Sequence, residues 1–525
     1  MSRRVVARAT SPALAVATII ALAVIAGCTV GPSPRPALVV AGDSPVATTT
    51  ARPQSKTPLP PLDTPSGSQV NWTDCNDTTR QRLGTATVPA GLDFQCARVI
   101  STLDSPSDPG SGAVRLALLK VGSGATPLLV VNDLNGLPGT LYAAELAARL
   151  PAQFLRTFSL VGMDRRGTGG SDAVHCVPEA DREQMIGYDP ADTDLSGLLD
   201  ATTDASQQCI LALDTRSAAL DTQRTIGDVE TVRQQLGVTH LDAIGHGEGS
   251  RVLTSYATRY PGSTGRFVLD GSPDPTATST DVAKAQVTAA EATFAAFATD
   301  CVNRGGCPLG SDPKATLTSV LDQLKAQPIP LTDGTEVTNG TALNAVLTGL
   351  ADPAGWPALA TAIAKAHQGD GTGIAAIVDP VLTGTPTDPA RLDADLVSGC
   401  SDEQDRLSPG QVMSLATSWR GQFPLFGGLV AQSLLLCAPW PVPNQPLTKP
   451  TAKGAPPILV LSTADDPVTP LTGTQRTAQQ LDSGVLVNWL GTGHGALGQS
   501  VCATQAAQNY LVGGRVPQNP TTCPP

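Results

Sequence analysis

Short, mostly apolar runs recur along the chain at 127–131 (PLLVV), 158–161 (FSLV), 241–244, 266–269, 458–461 and 485–489. Runs of this length bounded by turn residues predict strands buried on both faces, as in a parallel sheet. Between them lies helical periodicity. Ile226, Val229, Val232 and Leu236 fall on one face of a helix predicted over 222–236, and a second helix is predicted over 248–260. Strand and helix in alternation predict a doubly wound, mostly parallel α/β sheet. From 274 to 395 the pattern changes to alanine-rich helix (AKAQVTAAEATFAAFATD, PALATAIAKA) broken by Pro and Gly. That change predicts a helical cap inserted into the sheet domain, dividing it into a first part at 71–273 and a C-terminal part at 396–525. Residues 28–70 are rich in Pro, Ser and Thr, which cannot build a core and predict an extended tether.

Composition narrows the classes of function. A hydrophobic share of 41% over 525 residues is ample for a large core, and 34 basic against 46 acidic residues give a net charge of −12. Such a charge repels phosphate backbones, so nucleic acid is not an expected partner. At the N-terminus, Arg3, Arg4 and Arg8 precede an apolar stretch over 13–26, the pattern of a secretion signal over 1–27. It ends in Ile25-Ala26-Gly27-Cys28, which resembles a bacterial lipobox. Cys28 is then lipidated, and the protein is anchored to the outer face of the cytoplasmic membrane. The plainer alternatives are an ordinary signal peptide cut near Gly27 or a twin-arginine export signal. Without Cys28 the 11 cysteines become an even ten, as disulfide pairing in an oxidising compartment requires. Neighbours in sequence are the expected pairs, most clearly Cys301 with Cys307 and Cys502 with Cys523, which close short loops. The cysteines form no CxxC pairs and have few histidines nearby, so no metal and no cofactor are expected.

The candidate chemistry begins at 245–249, Gly-His-Gly-Glu-Gly, between the strand at 241–244 and the helix that follows. This is the spacing of the G-x-S-x-G nucleophile elbow, in which small flanking residues let a strained turn raise one side chain above the sheet edge. Gly247 stands at the apex and offers no attacking atom. Downstream, Asp466 (ADDPVTP) and His494 (GTGHGA) follow in the order nucleophile, acid, base. Ser250 lies about one helical turn beyond the apex, roughly 5 Å up the axis, and is a poor surrogate. His246 and Glu248 flank the apex, where either could position a water against His494. More plainly, Glu248 favours a helix N-terminus and His246 packs beside the strand.

With these residues placed, the chain resembles the tripeptidyl-aminopeptidase-like branch of the α/β-hydrolases. Residues 162–172 (GMDRRGTGGSD) are similar to that family's DxRGxGxS turn. Cys400-Ser401-Asp402, Cys437-Ala438-Pro439-Trp440-Pro441 and the ending from Gly514 to Cys523 are similar to its C-terminal portion. The resemblance implies hydrolysis of peptide, amide or ester bonds in a peptide or small acyl substrate, with Asp466 as the acid, in preference to Asp465, and His494 as the base. It also implies an oxyanion site built from the loop after the first core strand and from the N–H of Glu248. That loop, at 132–140, keeps Gly136, Pro138 and Gly139 of the family's GGPGxS run, but Leu137 replaces a glycine and is expected to narrow the pocket. Removal of one triad member leaves only roughly 10³ to 10⁴ over water, so weak or absent hydrolysis is expected at Gly247. The alternatives are a pseudo-hydrolase that binds a peptide, lipid or partner protein, and an active hydrolase with a surrogate nucleophile.

Overall fold

The computed structural model describes residues 57–84, 88–89, 91–385 and 388–525. The signal segment, Cys28 and most of the tether lie outside the described residues. Ten strands form one sheet, numbered here in chain order: β1 (Thr73–Asp74), β2 (Phe94–Thr102), β3 (Ala113–Val121), β4 (Thr126–Val131), β5 (Phe158–Met163), β6 (Leu241–His246), β7 (Thr264–Asp270), β8 (Ile458–Asp465), β9 (Gly484–Thr492) and β10 (Thr521–Cys523). Their order is β1-β2-β3-β5-β4-β6-β7-β8-β9-β10. Pairing is antiparallel from β1 to β5 and parallel from β5 to β10. The mostly parallel sheet expected from the apolar runs is therefore present. Its antiparallel edge, β2 and β3, alternates buried with more exposed positions along much of its length, a two-sided pattern unlike the continuous apolar runs.

Alternate residues of each central strand feed two separate cores, as the period of two requires. Leu128 and Val130 of β4 pack with Ile244 and Val268 under the helices Gly139–Arg149 and Val501–Leu511. Leu129 and Val131 pack instead with Ala243, Phe267 and Leu269 against Thr222–Leu236 and Glu248–Arg259. The 222–236 helix begins where its periodicity begins because Asp221 accepts a hydrogen bond from Arg224 N–H, and it ends at Gly237, whose φ of 72° closes the last turn.

Between β7 and β8 runs a series of helices from Ser279–Asn303 through Gly427–Ser433. The helical insertion therefore continues beyond the expected boundary at 395. Its own apolar core includes Phe294, Phe297, Trp356, Trp419 and Phe426. Helix Arg391–Asp402 packs with Ser196–Leu213, which precedes β6, through Leu198, Cys209, Leu396 and Val397. At the other end, residues before the expected 71 already pack on the sheet domain. The carboxylate of Asp63 accepts from the Thr239 and His240 N–H groups, and Ser66 N–H donates to Gly237 carbonyl. The segment docks through these hydrogen bonds and through Leu59, Leu62 and Val70, which pack against the sheet's cores.

All ten cysteines from 75 onward are paired as sequence neighbours: Cys75–Cys96, Cys176–Cys209, Cys301–Cys307, Cys400–Cys437 and Cys502–Cys523. Five disulfides mark a protein of an oxidising compartment, so it is exported. Among the described residues, no helix is long and apolar enough to cross a membrane.

Candidate active site

The elbow is built as expected and occupied unexpectedly. Gly247, between β6 and the helix Glu248–Arg259, has φ 54° and ψ −120°, the strained turn of a nucleophile elbow without the nucleophile. Gly249 is required beside it, since a Cβ there would stand 2.0 Å from the Val131 carbonyl oxygen. A Cβ built on Gly247 would stand 2.0 Å from Oδ1 of Asp133 and 2.4 Å from its other carboxylate oxygen. The Asp133 carboxylate, from the loop after β4, thus fills the space that a nucleophile side chain would take. The expectation of an apex with nothing in it is corrected by this contact.

Both carboxylate oxygens of Asp133 are engaged as a reacting group would be. Glu248 N–H donates to Oδ1 at 2.6 Å, and His494 Nε2 lies 2.8 Å from Oδ2. Glu248 therefore supplies the backbone donor assigned to it, but to the protein's own carboxylate. Its side chain turns toward Arg165 and Arg251, 3.9 and 3.8 Å away. Across the ring, His494 Nδ1 stands 3.0 and 3.1 Å from the two oxygens of Asp466. Asp466 is fully buried and held by the N–H groups of Val468, Thr469 and Gly495 and by Thr469 Oγ1. The acid and base read from the sequence are together, and Asp466 rather than Asp465 faces the imidazole. The backbone N–H of His494 donates to the Ala351 carbonyl, tying the base to the helical insertion.

Burial alone would lower the pKa of His494, but the carboxylates of Asp466 and Asp133 outweigh it and hold the imidazole well above its ordinary value. Burial likewise works to raise Asp133, yet the charge and hydrogen bond of His494, with help from His246 and Glu248 N–H, pull it below the ordinary carboxylate range. The two form an ion pair whose side chains are only 9% and 6% exposed.

The other expected residues fall on both sides of the centre. His246, at the end of β6, is buried with Nδ1 3.2 Å from Asp270 Oδ2. Its ring stacks on Tyr142 and lies 4.2 Å, centroid to centroid, from that of His494. Ser250 is fully buried and donates to the carbonyls of Gly245 and Gly271, so it braces the turn and cannot serve as the nucleophile. Gly136 lines a small cavity with Asp133, Leu134 and Pro138, roofed by Pro389, Arg391 and Ala394. Leu137 packs against the apolar core on one face of the sheet, and its carbonyl accepts from Asn132 Nδ2. It is Asp133, not Leu137, that obstructs the centre. The DRRGTGGS turn is structural: Asp164 accepts from Thr140 and Gly170 N–H, fixing the loop that carries Asp133, while Arg166 forms a bidentate pair with Asp228.

Three residues escaped the sequence reading. Asp133 and Asp270 each sit at the C-terminal end of a central parallel strand, the edge where α/β sheets bind ligands, and that position was the available signal. Asp395, on Arg391–Asp402, has no such signal. Burial and the charges of Glu248 and Asp133 push its carboxyl up to about 7, against the pull of Arg165.

A mostly parallel sheet with an elbow after β6, an acid after β8 and a base after β9 defines an α/β-hydrolase fold. Within it, residues 423–523 match the family model for TAP-like proteins, and that segment contains Asp466 and His494. Its relatives extend over most of the chain. It is 27% identical over 491 residues to serine protease Hip1 of Mycobacterium tuberculosis, covering 87% of this chain and 91% of that protein. It is 27% identical over 513 residues to carboxylesterase B of the same species, covering 92% and 94%. It is 23% identical over 479 residues to tripeptidyl aminopeptidase of Streptomyces lividans, covering 87% of each.

Proposed function

We propose that this is an exported, lipid-anchored α/β-hydrolase homologue in which serine-dependent hydrolysis of peptides and esters, the chemistry named for its relatives, is weak or absent. One observation carries the reading: the Asp133 carboxylate takes both the nucleophile's space and the Glu248 N–H. An acyl carbonyl entering the centre meets an anion where an attacking hydroxyl would stand, and the amide that would stabilise an oxyanion is already in use. The protein is then a peptide- or acyl-binding member of the cell envelope, held to the membrane through Cys28. Nitrophenyl esters, peptidyl nitroanilides and a fluorophosphonate probe test this together. Buffer-level turnover and no adduct are expected, and stoichiometric adduct formation on any serine overturns it. Metabolic lipid labelling tests the anchor. Label should enter the wild type and not Cys28→Ala, and an unlabelled wild type removes the anchor.

A second reading is favoured by the same contacts, since Asp133 lies within hydrogen-bonding distance of both His494 and Glu248 N–H. Asp133 Oδ2 would attack a saturated carbon, expelling its leaving group with the bonding pair and forming an ester. The His494 imidazolium, its partner charge lost in the ester, would release its proton to the departing group or to solvent; the neutral imidazole would then deprotonate a water that attacks the ester carbonyl, and pass that proton to the departing alkoxide as the carboxylate is restored. Turnover of an alkyl halide or epoxide in ¹⁸O water, with label appearing in Asp133, supports this reading, and its absence removes it.

A further inference from the structure

We propose that Asp133, His246 and His494 form a binding site for a divalent transition-metal ion, with zinc the best match to the donors. One ligand atom from each residue lies within 4.8 Å of the other two. Two imidazole nitrogens and one carboxylate oxygen are a borderline donor set that suits zinc, whereas calcium and magnesium favour all-oxygen shells.

The strongest support is behind the three donors. In metal sites, a ligating histidine donates its other ring nitrogen to a carboxylate or carbonyl, which fixes its orientation. Both histidines have such a partner: Asp466 lies 3.0 Å from His494 Nδ1, and Asp270 lies 3.2 Å from His246 Nδ1. Nε2 is left in each ring as the nitrogen not held by these supporting carboxylates. The supporting carboxylates are themselves held, Asp466 by the N–H groups at 468, 469 and 495 and Asp270 by those of Ala496 and Leu497. The third donor is fixed too, because Glu248 N–H holds Oδ1 of Asp133 and leaves Oδ2 facing His494. Three carboxylates buried against two imidazoles are the setting in which buried charge is either paired or bound to a metal.

Gly247 makes this arrangement possible, because any side chain there would push Asp133 out of the centre. The residue change that removes a serine nucleophile also opens the space for a carboxylate ligand. Three protein ligands leave a fourth tetrahedral position, as catalytic zinc sites do, and Asp133 borders the cavity under Pro389 and Arg391. The site does not rest on the loss of serine chemistry, because the two are read by different measurements.

The test uses the purified full chain, stripped with chelator and titrated with zinc chloride, with bound metal measured after gel filtration. One equivalent per chain is expected, with little binding of magnesium. Substoichiometric zinc in the wild type overturns the proposal whatever the variants do. Paramagnetic cobalt(II) then locates the ion in the unmodified protein. Ring resonances of His246 and His494 should broaden first, and broadening confined to His175, His240 or His367 overturns it. Asp133→Asn and His246→Gln should each weaken zinc binding at least 100-fold. Asp270→Asn, which leaves all three ligands in place and weakens only the support of His246 Nδ1, should weaken it by about 10- to 100-fold. Unchanged affinity in folded Asp133→Asn and His246→Gln overturns the site as well.

Discussion

The two halves of the candidate centre match a hydrolytic triad to different degrees. The half built on β8 and β9 retains a buried Asp466 gripping His494 Nδ1 through a set of backbone and side-chain hydrogen bonds. The half built on β4 and β6 keeps the backbone of a nucleophile elbow but exchanges its contents, with glycine at the apex and Asp133 in the apex's space. The glycine at 247 and the carboxylate of Asp133 act as one unit. Asp133 fits only because residue 247 lacks a Cβ, and it is the Asp133 carboxylate that meets His494 Nε2.

Substitution at the apex disturbs this unit most severely. Gly247→Ser places a Cβ inside the Asp133 carboxylate, so the Asp133–His494 pair must separate. Breaking a buried pair costs about 3–5 kcal/mol, and urea denaturation should show a loss of that size. Silence of this variant toward esters is expected on account of Asp133, rather than of Leu137 or the helical insertion.

The ion pair also sets a pH profile. His494 has a raised folded pKa, so its contribution is complete below its ordinary value of about 6.5 and is lost as pH rises through the folded value. Asp133 and Asp270, both lowered, contribute fully above about 3.9 and lose that contribution as pH falls through their folded values. From these groups, denaturant stability should be flat between the two limits and decline on either side. In Asp133→Asn the imidazole loses one of its two carboxylates, so an NMR titration of His494 should move toward the ordinary histidine value. An unmoved titration would mean that the two halves are not coupled through this contact.

The smallest effects belong to residues that brace one half alone. Ser250→Ala removes two hydrogen bonds to carbonyls under the elbow and should cost about 1 kcal/mol, with no change in probe reactivity. Thr469→Val deletes a 2.9 Å bond to Asp466 and should cost a similar amount, about 1 kcal/mol. Thermal melts and probe labelling of both variants check these values.

Much of the fold was legible because the central strands are buried on both faces and carry nearly unbroken apolar runs. The helix over 222–236 matched its periodicity for the same kind of reason. The edge strands β2 and β3 alternate and left a weaker signal. Acid, base and backbone donor were legible because motif spacing carries them. Asp133 was not, because its role depends on an atom missing 114 residues later at Gly247, and only the folded chain brings the two together. Asp395 reaches the centre from the inserted helices, whose alanine-rich pattern encodes helix but no register toward the site.

Fluorophosphonate labelling with adduct mapping, on Gly247→Ser beside the double variant Asp133→Ala/Gly247→Ser, reads whether Asp133 blocks the apex. If the Asp133 carboxylate is what occupies the nucleophile's place, the double variant acquires an adduct at residue 247 and the single variant does not. Equal labelling of the two, or full labelling of Gly247→Ser alone, would contradict it.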